Sequence, residues 1–459
     1  MPASLEPVRA SDVAPVDRAA LRCSVADGVD PAAIFEALEG GPRGFWGRGA
    51  RWAVWGRALD EIWIDGGDPN RFATLRREIE RRTEGDPAAA MDRFFGGLSF
   101  LERPTPNGVW GGFPAARFIR PELLIEGDGD VLRIQVLDRA GGAHAEAEHW
   151  VREIEAGRYA LRQTLPLEPT LPEGERSEER GEDAWSMALE AVLGAIRGGE
   201  VEKTVLARTR DVHLPESAQI AEVLRFLRHE NPRAHVFIVE PDPGRVLFGA
   251  APEVLAELRD GRFHATAVAG SAPRGRTPHE DQLYSGGLLA SKKDRAEHRM
   301  TLDEMVEIMA PRLARLDPLP DGPSVLALAR IQHLETPLRG MVRPGEDILS
   351  LVEALHPTPA VCGRPRGRAL ELIARAEPFE RGWYAGPVGW LTGEGEGDFV
   401  PALRIGVGGG QDWRLYAGAG VVEGSDPRSE WEETALKFEP AHRALRGSLP
   451  GSLPNSLPG

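Results

Sequence analysis

The chain has 459 residues, 41% of them hydrophobic and 27% charged, which is the balance of a soluble globular protein with room for one large domain or two ordinary ones. Its 55 basic and 71 acidic side chains leave a formal charge of −16, which argues against a nucleic-acid or anionic-membrane partner. Cys23 and Cys362 are its two cysteines, too few and too far apart for a disulfide framework or a cysteine metal site.

The first residues lack a basic-then-apolar signal pattern, and no apolar run approaches the ~18 residues of a spanning helix, so a cytoplasmic protein is expected. Residues 1–165 mix strand-like runs (Trp52–Trp55, Val131–Val136) with a helical stretch at Leu75–Arg82, and no catalytic constellation stands out there. Residues 166–184 are polar and rich in proline and charge, and read as a linker or exposed loop.

The part from 185 to 445 opens on a helix, with Trp185, Ala188, Leu189, Val192 and Ile196 at helical spacing and Gly198-Gly199 to end it. A strand over Val201–Val212 follows, then a helix carrying Ile220, Val223, Leu224 and Leu227 on one stripe. Hairpins are expected at Pro241–Gly244 and at Asp260-Gly261, a long helical region over 279–315, and further antiparallel strands over 383–390, 399–407 and 413–422. Hairpins outnumber strand-helix-strand units, so the pattern is α+β with large antiparallel sheets. Residues 446–459 contain the repeat Gly447–Pro450 and Gly451–Pro454 and are expected to be disordered.

Four places could carry chemistry. Gly418-Ala419-Gly420 ends a strand and leads into a helix that sets Glu430, Glu433 and Lys437 on one face, an arrangement suited to a hard cation and an anionic ligand. Lys203 shares a strand face with Val201, Val205 and Ala207; buried there, it could act as a general base, whereas at a strand edge its head would lie in water. Glu253 follows Phe248-Gly249-Ala250-Ala251-Pro252. Buried it would be a general acid, and at a helix start it would simply answer the dipole. Glu297 lies on a charged helix where Lys293 is its expected i, i+4 partner, and His298 has no neighbour at zinc spacing. Glu423 breaks the dinucleotide fingerprint that Gly418-Ala419-Gly420 begins, and phosphate-loop and nucleophile-elbow patterns are absent.

Taken in order, eight blocks over about residues 185–440 resemble the chorismate-utilising enzymes, and among them the isochorismate synthases. They are Glu202–Arg208, Phe248–Glu253, Ala269–Gly275, Lys293–His298, His333–Pro337, Leu355–Val361, Arg381–Trp390 and Gly418–Lys437. The resemblance implies a single large α+β unit, two antiparallel sheets packed face to face and flanked by helices, with residues 1–165 forming part of it. It implies that Lys203 deprotonates a water attacking C2 of chorismate and that Glu253 protonates the departing C4 hydroxyl. Glu297 and Glu433 match magnesium ligands, with Glu430 beside them. Arg404, Tyr416, the Gly418 amide and Lys437 match a pocket for one substrate carboxylate, and Gly270, Ser271, His333, Ala360 and Val361 match positions against the rest of the substrate.

Within the family, Lys203 stands where the ammonia-using synthases have glutamine, and Ala269 where some carry a nucleophilic lysine. Both point to water as nucleophile. The resemblance also implies a small-molecule partner only, a monomer or homodimer, and menaquinone supply, with siderophore supply or salicylate synthesis as alternatives. Asp398 departs from the pattern, which usually has glutamate, and a loosened contact around the metal is expected.

Overall fold

The structure is a computed structural model that describes residues 16–449 apart from 26–27, 39, 105–107, 162–168, 170 and 180. Among the described residues, twenty strands join through antiparallel pairs into one hydrogen-bonded network, with eleven α-helices around it. The network doubles back on itself to make two layers.

The first layer runs Asp17–Ser24, Val131–Asp138, Ala116–Asp128, Arg51–Ile64, Arg43–Arg48, His235–Asp242, Arg245–Ala251, Gly406–Gly409, Asp412–Val422 and Lys203–His213. The second branches from the other half of Ala116–Asp128 through Arg93–Leu98 to Pro387–Thr392, Gly397–Pro401, Ala256–Arg259, Arg262–Pro273 and Ile331–Val342. Strands from residues 1–165 therefore pair directly with strands from the later part, as Arg43–Arg48 does with His235–Asp242.

Strand alternation explains the layering. Along His235–Asp242, Val236 and Ile238 join an apolar cluster beneath the helices Pro31–Ala37, Ala143–Glu155, Ile220–Glu230 and Pro427–Gly447, while Phe237 and Val239 point between the layers. In the second layer Phe399 faces the helices Arg71–Thr83, Lys292–Met309 and Ile348–Leu355, and Val400 faces inward. The order is helices, sheet, sheet, helices, with Trp55, Trp110 and Trp383 fully buried in the inner core. No helix among the described residues is long and apolar enough to cross a membrane.

Several expectations need correction. The 166–184 stretch is not a free linker: Arg176–Glu179 forms a strand on Lys203–His213, Glu182 starts the helix Glu182–Arg197, and Glu175 binds His442 and Arg446, each at 2.7 Å. Its residues 166–168, 170 and 180 lie outside the described ones. The helical region over 279–315 is two helices, Pro278–Ala290 and Lys292–Met309, because the Ser291 side chain leaves the first to cap the second; Leu313–Leu316 is a strand. The expected disordered tail begins too early. The last helix runs through Gly447, and Ser448 and Leu449 are buried; residues 450–459 lie outside the described ones.

Candidate active site

A cavity, partly open to solvent, lies at the end of the first layer where it faces the strands Arg262–Pro273 and Ile331–Val342. It gathers Lys203, Glu253, Gly270, Ser271, Glu297, His333, Ala360, Val361, Arg404, Tyr416, Gly418, Glu430, Glu433 and Lys437 along one wall or another. The residues that the resemblance assigns to base, acid, metal and substrate all line this cavity. Local chemistry sets their directions. Ser291 caps the helix that carries Glu297, and Asp426, with Pro427 at the first helical position, starts the helix that carries Glu430, Glu433 and Lys437.

Lys203 begins its strand on the inward face and is buried, its Nζ 2.9 Å from Glu297 Oε1. Val422 stands opposite Lys203 and Gly420 opposite Val205 across the ladder. A Cβ on Gly420 would sit 2.4 Å from Glu297 Oε1 and 3.0 Å from Lys203 Cε, so a side chain there would invade the ion pair. The expected Lys293–Glu297 pair is not formed. Lys293 reaches Glu430 on the other helix at 2.8 Å, because Glu297 is turned inward to Lys203.

Glu253 is buried just beyond the strand Arg245–Ala251, and no helix follows it, which removes the helix-dipole reading. Burial pushes its carboxyl up to about 8, against the opposing pull of Lys203 and a long contact from Thr358 Oγ1 at 3.5 Å. A carboxylic acid that keeps its proton at neutral pH thus shares a cavity with a buried lysine.

Opposite lies an anion-receptive corner. His333 Nδ1 faces the Gly270 carbonyl at 3.1 Å and so carries the proton, leaving Nε2 to accept from Arg404 Nη2 at 2.6 Å. Burial, with Arg404 and Lys437 nearby, holds the His333 imidazole neutral, well below its ordinary range. Arg404 takes a left-handed backbone (φ 54°), and burial lowers its guanidinium to about 10. Its Nη1 is buried with no hydrogen-bond partner among the described residues. A buried guanidinium without a carboxylate is costly unless an anion completes it.

The carboxylates divide between cations. Lys437 bridges Glu433 at 2.6 Å and the Gly418 carbonyl at 2.8 Å. Burial and the neighbouring Glu433 raise the Glu430 carboxyl, whereas Lys437 and Ser271 hold Glu433 below its usual range despite burial. Among the described residues no three acidic or imidazole groups stand close enough together to grip a metal ion as they are, since Glu297, Glu430 and Glu433 each hold a lysine. As a donor set of hard, mutually repelling oxygens on one cavity wall, they do suit magnesium.

Other expectations shift in detail. Tyr416 lines the cavity, but its hydroxyl accepts from Trp110 Nε1 at 2.9 Å and donates to the Glu380 carbonyl at 3.0 Å, and its ring stacks on Tyr384. Asp398 is not at the cavity. It lies between the layers against His235 (3.5 Å) and Trp46 Nε1 (3.4 Å), so its shorter side chain does not bear on the site. Asp294 and Tyr384 also line the cavity and were missed. Asp294 was findable, being three residues before Glu297 on the same helix face; Gly270 takes φ 75° beside it, and a Cβ there would lie 2.9 Å from that of Asp294. Tyr384 lies within the block Arg381–Trp390, but nothing in that block marked it as a lining residue.

Comparison with known proteins shows the family. The model of a family described as chorismate binding enzyme matches residues 18–446. The chain is 33% identical to the isochorismate synthase MenF of Bacillus subtilis over 82% of its own length and 79% of the relative's. It is 34% identical to a salicylate biosynthesis isochorismate synthase of Pseudomonas aeruginosa, covering 85% of this chain and 82% of that one. Among solved structures, the menaquinone-specific isochorismate synthase MenF of Escherichia coli superposes with a TM-score of 0.76 at 25% identity, covering 94% of this chain and 95% of the other. The chain belongs to the chorismate-binding enzyme family.

Proposed function

We propose that this protein is an isochorismate synthase, an isomerase that adds water at C2 of chorismate and releases the C4 hydroxyl. The observation that carries this reading is the pairing of Glu253, protonated up to about pH 8, with the buried Lys203 in one cavity. Water addition with loss of hydroxide needs a base for one proton and an acid for another, and these two groups supply them. Lys203 takes the proton from the attacking water, and Glu253 gives its own to the leaving C4 oxygen. No net proton is consumed.

Arg404 receives one carboxylate of chorismate through its free Nη1, with His333 kept neutral so that it accepts from the guanidinium without adding charge. Lys437 and the Gly418 backbone stand beside it, and the small side chain of Ala360 with Val361 leaves room for the ring. Glu297 and Glu433, with Glu430, would hold magnesium, which when bound supplies positive charge for the other carboxylate. Lysine at 203 favours water over ammonia, because a lysine there occupies the space and supplies the base.

The likeness to the menaquinone-specific MenF of Escherichia coli over most of both chains supports menaquinone supply. A relative of the same extent named for salicylate biosynthesis supports a second reading, supply of isochorismate for salicylate. The direct test is incubation of the purified protein with chorismate, with magnesium and then with a chelator, followed by chromatography and mass. A magnesium-dependent product isobaric with chorismate is expected. Salicylate with pyruvate as the products, or no turnover, would contradict the proposal.

A further inference from the structure

Behind the cavity wall lies a buried ion pair, neither of whose residues lines the cavity. Arg381 and Glu377 are both buried, four residues apart, joined through Nε at 2.8 Å and Nη2 at 2.6 Å. The remaining capacity of the pair goes to the backbone of two separate wall segments. Arg381 Nη2 donates to the Val205 carbonyl and Nη1 to the Val361 carbonyl, both at 2.9 Å. Glu377 Oε1 accepts the Ala207 amide at 2.7 Å. The side chains of Val205 and Val361 line the cavity, and Val205 is two residues from Lys203 on the same strand face.

The guanidinium also lies over the Phe100 ring, 4.4 Å from its centre, and 5.7 Å from that of Tyr384, another lining residue. One planar fork therefore fixes the strand of Lys203, the loop of Ala360 and Val361, and the ring of Tyr384 relative to one another. A lysine at 381 would keep the charge but has no fork with which to hold two carbonyls and a carboxylate at fixed angles.

We infer that Arg381, seated by Glu377, is a positioning residue that sets the distance between the Lys203 strand and the Ala360-Val361 loop, and so the alignment of the base with the ring it serves. The inference rests on the reading of the cavity as the site of chorismate isomerisation. Misplacing reacting groups by about 1 Å can cost on the order of 10²-fold in rate. Such a loss falls on kcat, because the groups proposed to bind the carboxylates, Arg404 and Lys437, are not held by this pair.

The test compares Arg381→Lys with Arg225→Lys, which loosens a second buried arginine that binds Asp30 at 2.7 Å away from the cavity. Wild-type turnover of chorismate is measured first; its absence would fail the functional reading and not this one. With turnover established, Arg381→Lys is expected to lower kcat at least ~10-fold with KM within about threefold, while Arg225→Lys keeps its kcat. A kcat within twofold of wild type, or parallel losses in both variants that track their melting temperatures, would overturn the inference. Should Arg381→Lys fail to fold, Glu377→Gln is read the same way. It keeps an oxygen for the Ala207 amide but removes the charge and puts an NH2 donor where Arg381 Nε now finds an acceptor, so the fork loses its seat, and an unchanged kcat there would equally overturn the inference.

Discussion

Lys203 Nζ lies 2.9 Å from Glu297 Oε1, a pair formed between the start of a strand and the middle of a helix and possible only because position 420, next to both, is glycine. Glu297 holds the lysine nitrogen in place. On the proposed reading Lys203 acts as base only in its neutral amine form, since an ammonium has no lone pair with which to take a proton from water. Lys203→Gln is then expected to lower isochorismate formation by ~10²–10⁴-fold while chorismate binding, read by calorimetry, changes only a few-fold. Retained turnover in that variant would remove Lys203 from its role.

Glu253 gives a prediction with a definite sign. Its folded-state carboxyl is raised from 4.5 to about 8 by burial, so the folded protein keeps a proton that the unfolded chain releases. Stability should therefore fall as pH rises from about 4.5 to about 8. Glu253→Gln removes this dependence, and its melting temperature should exceed that of wild type at pH 8 and approach it near pH 4. The same variant should lose activity by ~10²–10⁴-fold, and wild-type kcat should decline above about pH 8 as the acid loses its proton. Equal melting curves at pH 8 would show that the group is ionised when folded.

Arg404 sets binding against stability. Its Nη1 is buried without a partner, so the free protein bears an uncompensated charge. Arg404→Met should raise the melting temperature of the free protein while weakening chorismate binding by ~10–100-fold, the worth of a charged hydrogen bond. A variant that loses stability and keeps its affinity for chorismate would place the carboxylate elsewhere.

Glu433→Gln tests the cation. Removing one of the proposed ligands should raise the magnesium concentration needed for half-maximal rate by at least ~10-fold. It should also leave Lys437 without its 2.6 Å partner. An unchanged magnesium titration would contradict the ligand assignment.

How much of this was legible beforehand varied with the range of the interaction. Lys203 could be put on an inward face because strand alternation is a local property, and Val205 and Ala207 on the same face are buried with it. Glu430, Glu433 and Lys437 could be put on one helix face for the same kind of reason. Helix starts at Ser291 and Asp426 follow from side chains that cap their own neighbours. The resemblance of eight ordered blocks supplied Gly270, Ser271, His333, Ala360, Val361, Arg404 and Tyr416.

What no local pattern supplied was partnership across the fold. Lys293 and Glu297 stand at ideal helical spacing, yet each pairs elsewhere, because a buried Lys203 offers Glu297 a stronger interaction than a half-exposed neighbour can. Asp398 drew attention as a departure near the chemistry, and tertiary packing put it between the layers with His235 and Trp46. Residues 1–165 showed no catalytic pattern, yet Trp110 holds the Tyr416 hydroxyl and Phe100 supports Arg381. Composition and periodicity determine which faces are buried and where chains turn, since those depend on neighbours in sequence. Which buried charge meets which, and what pKa results, depends on distances between elements far apart in the chain, and only the packed layers set those distances.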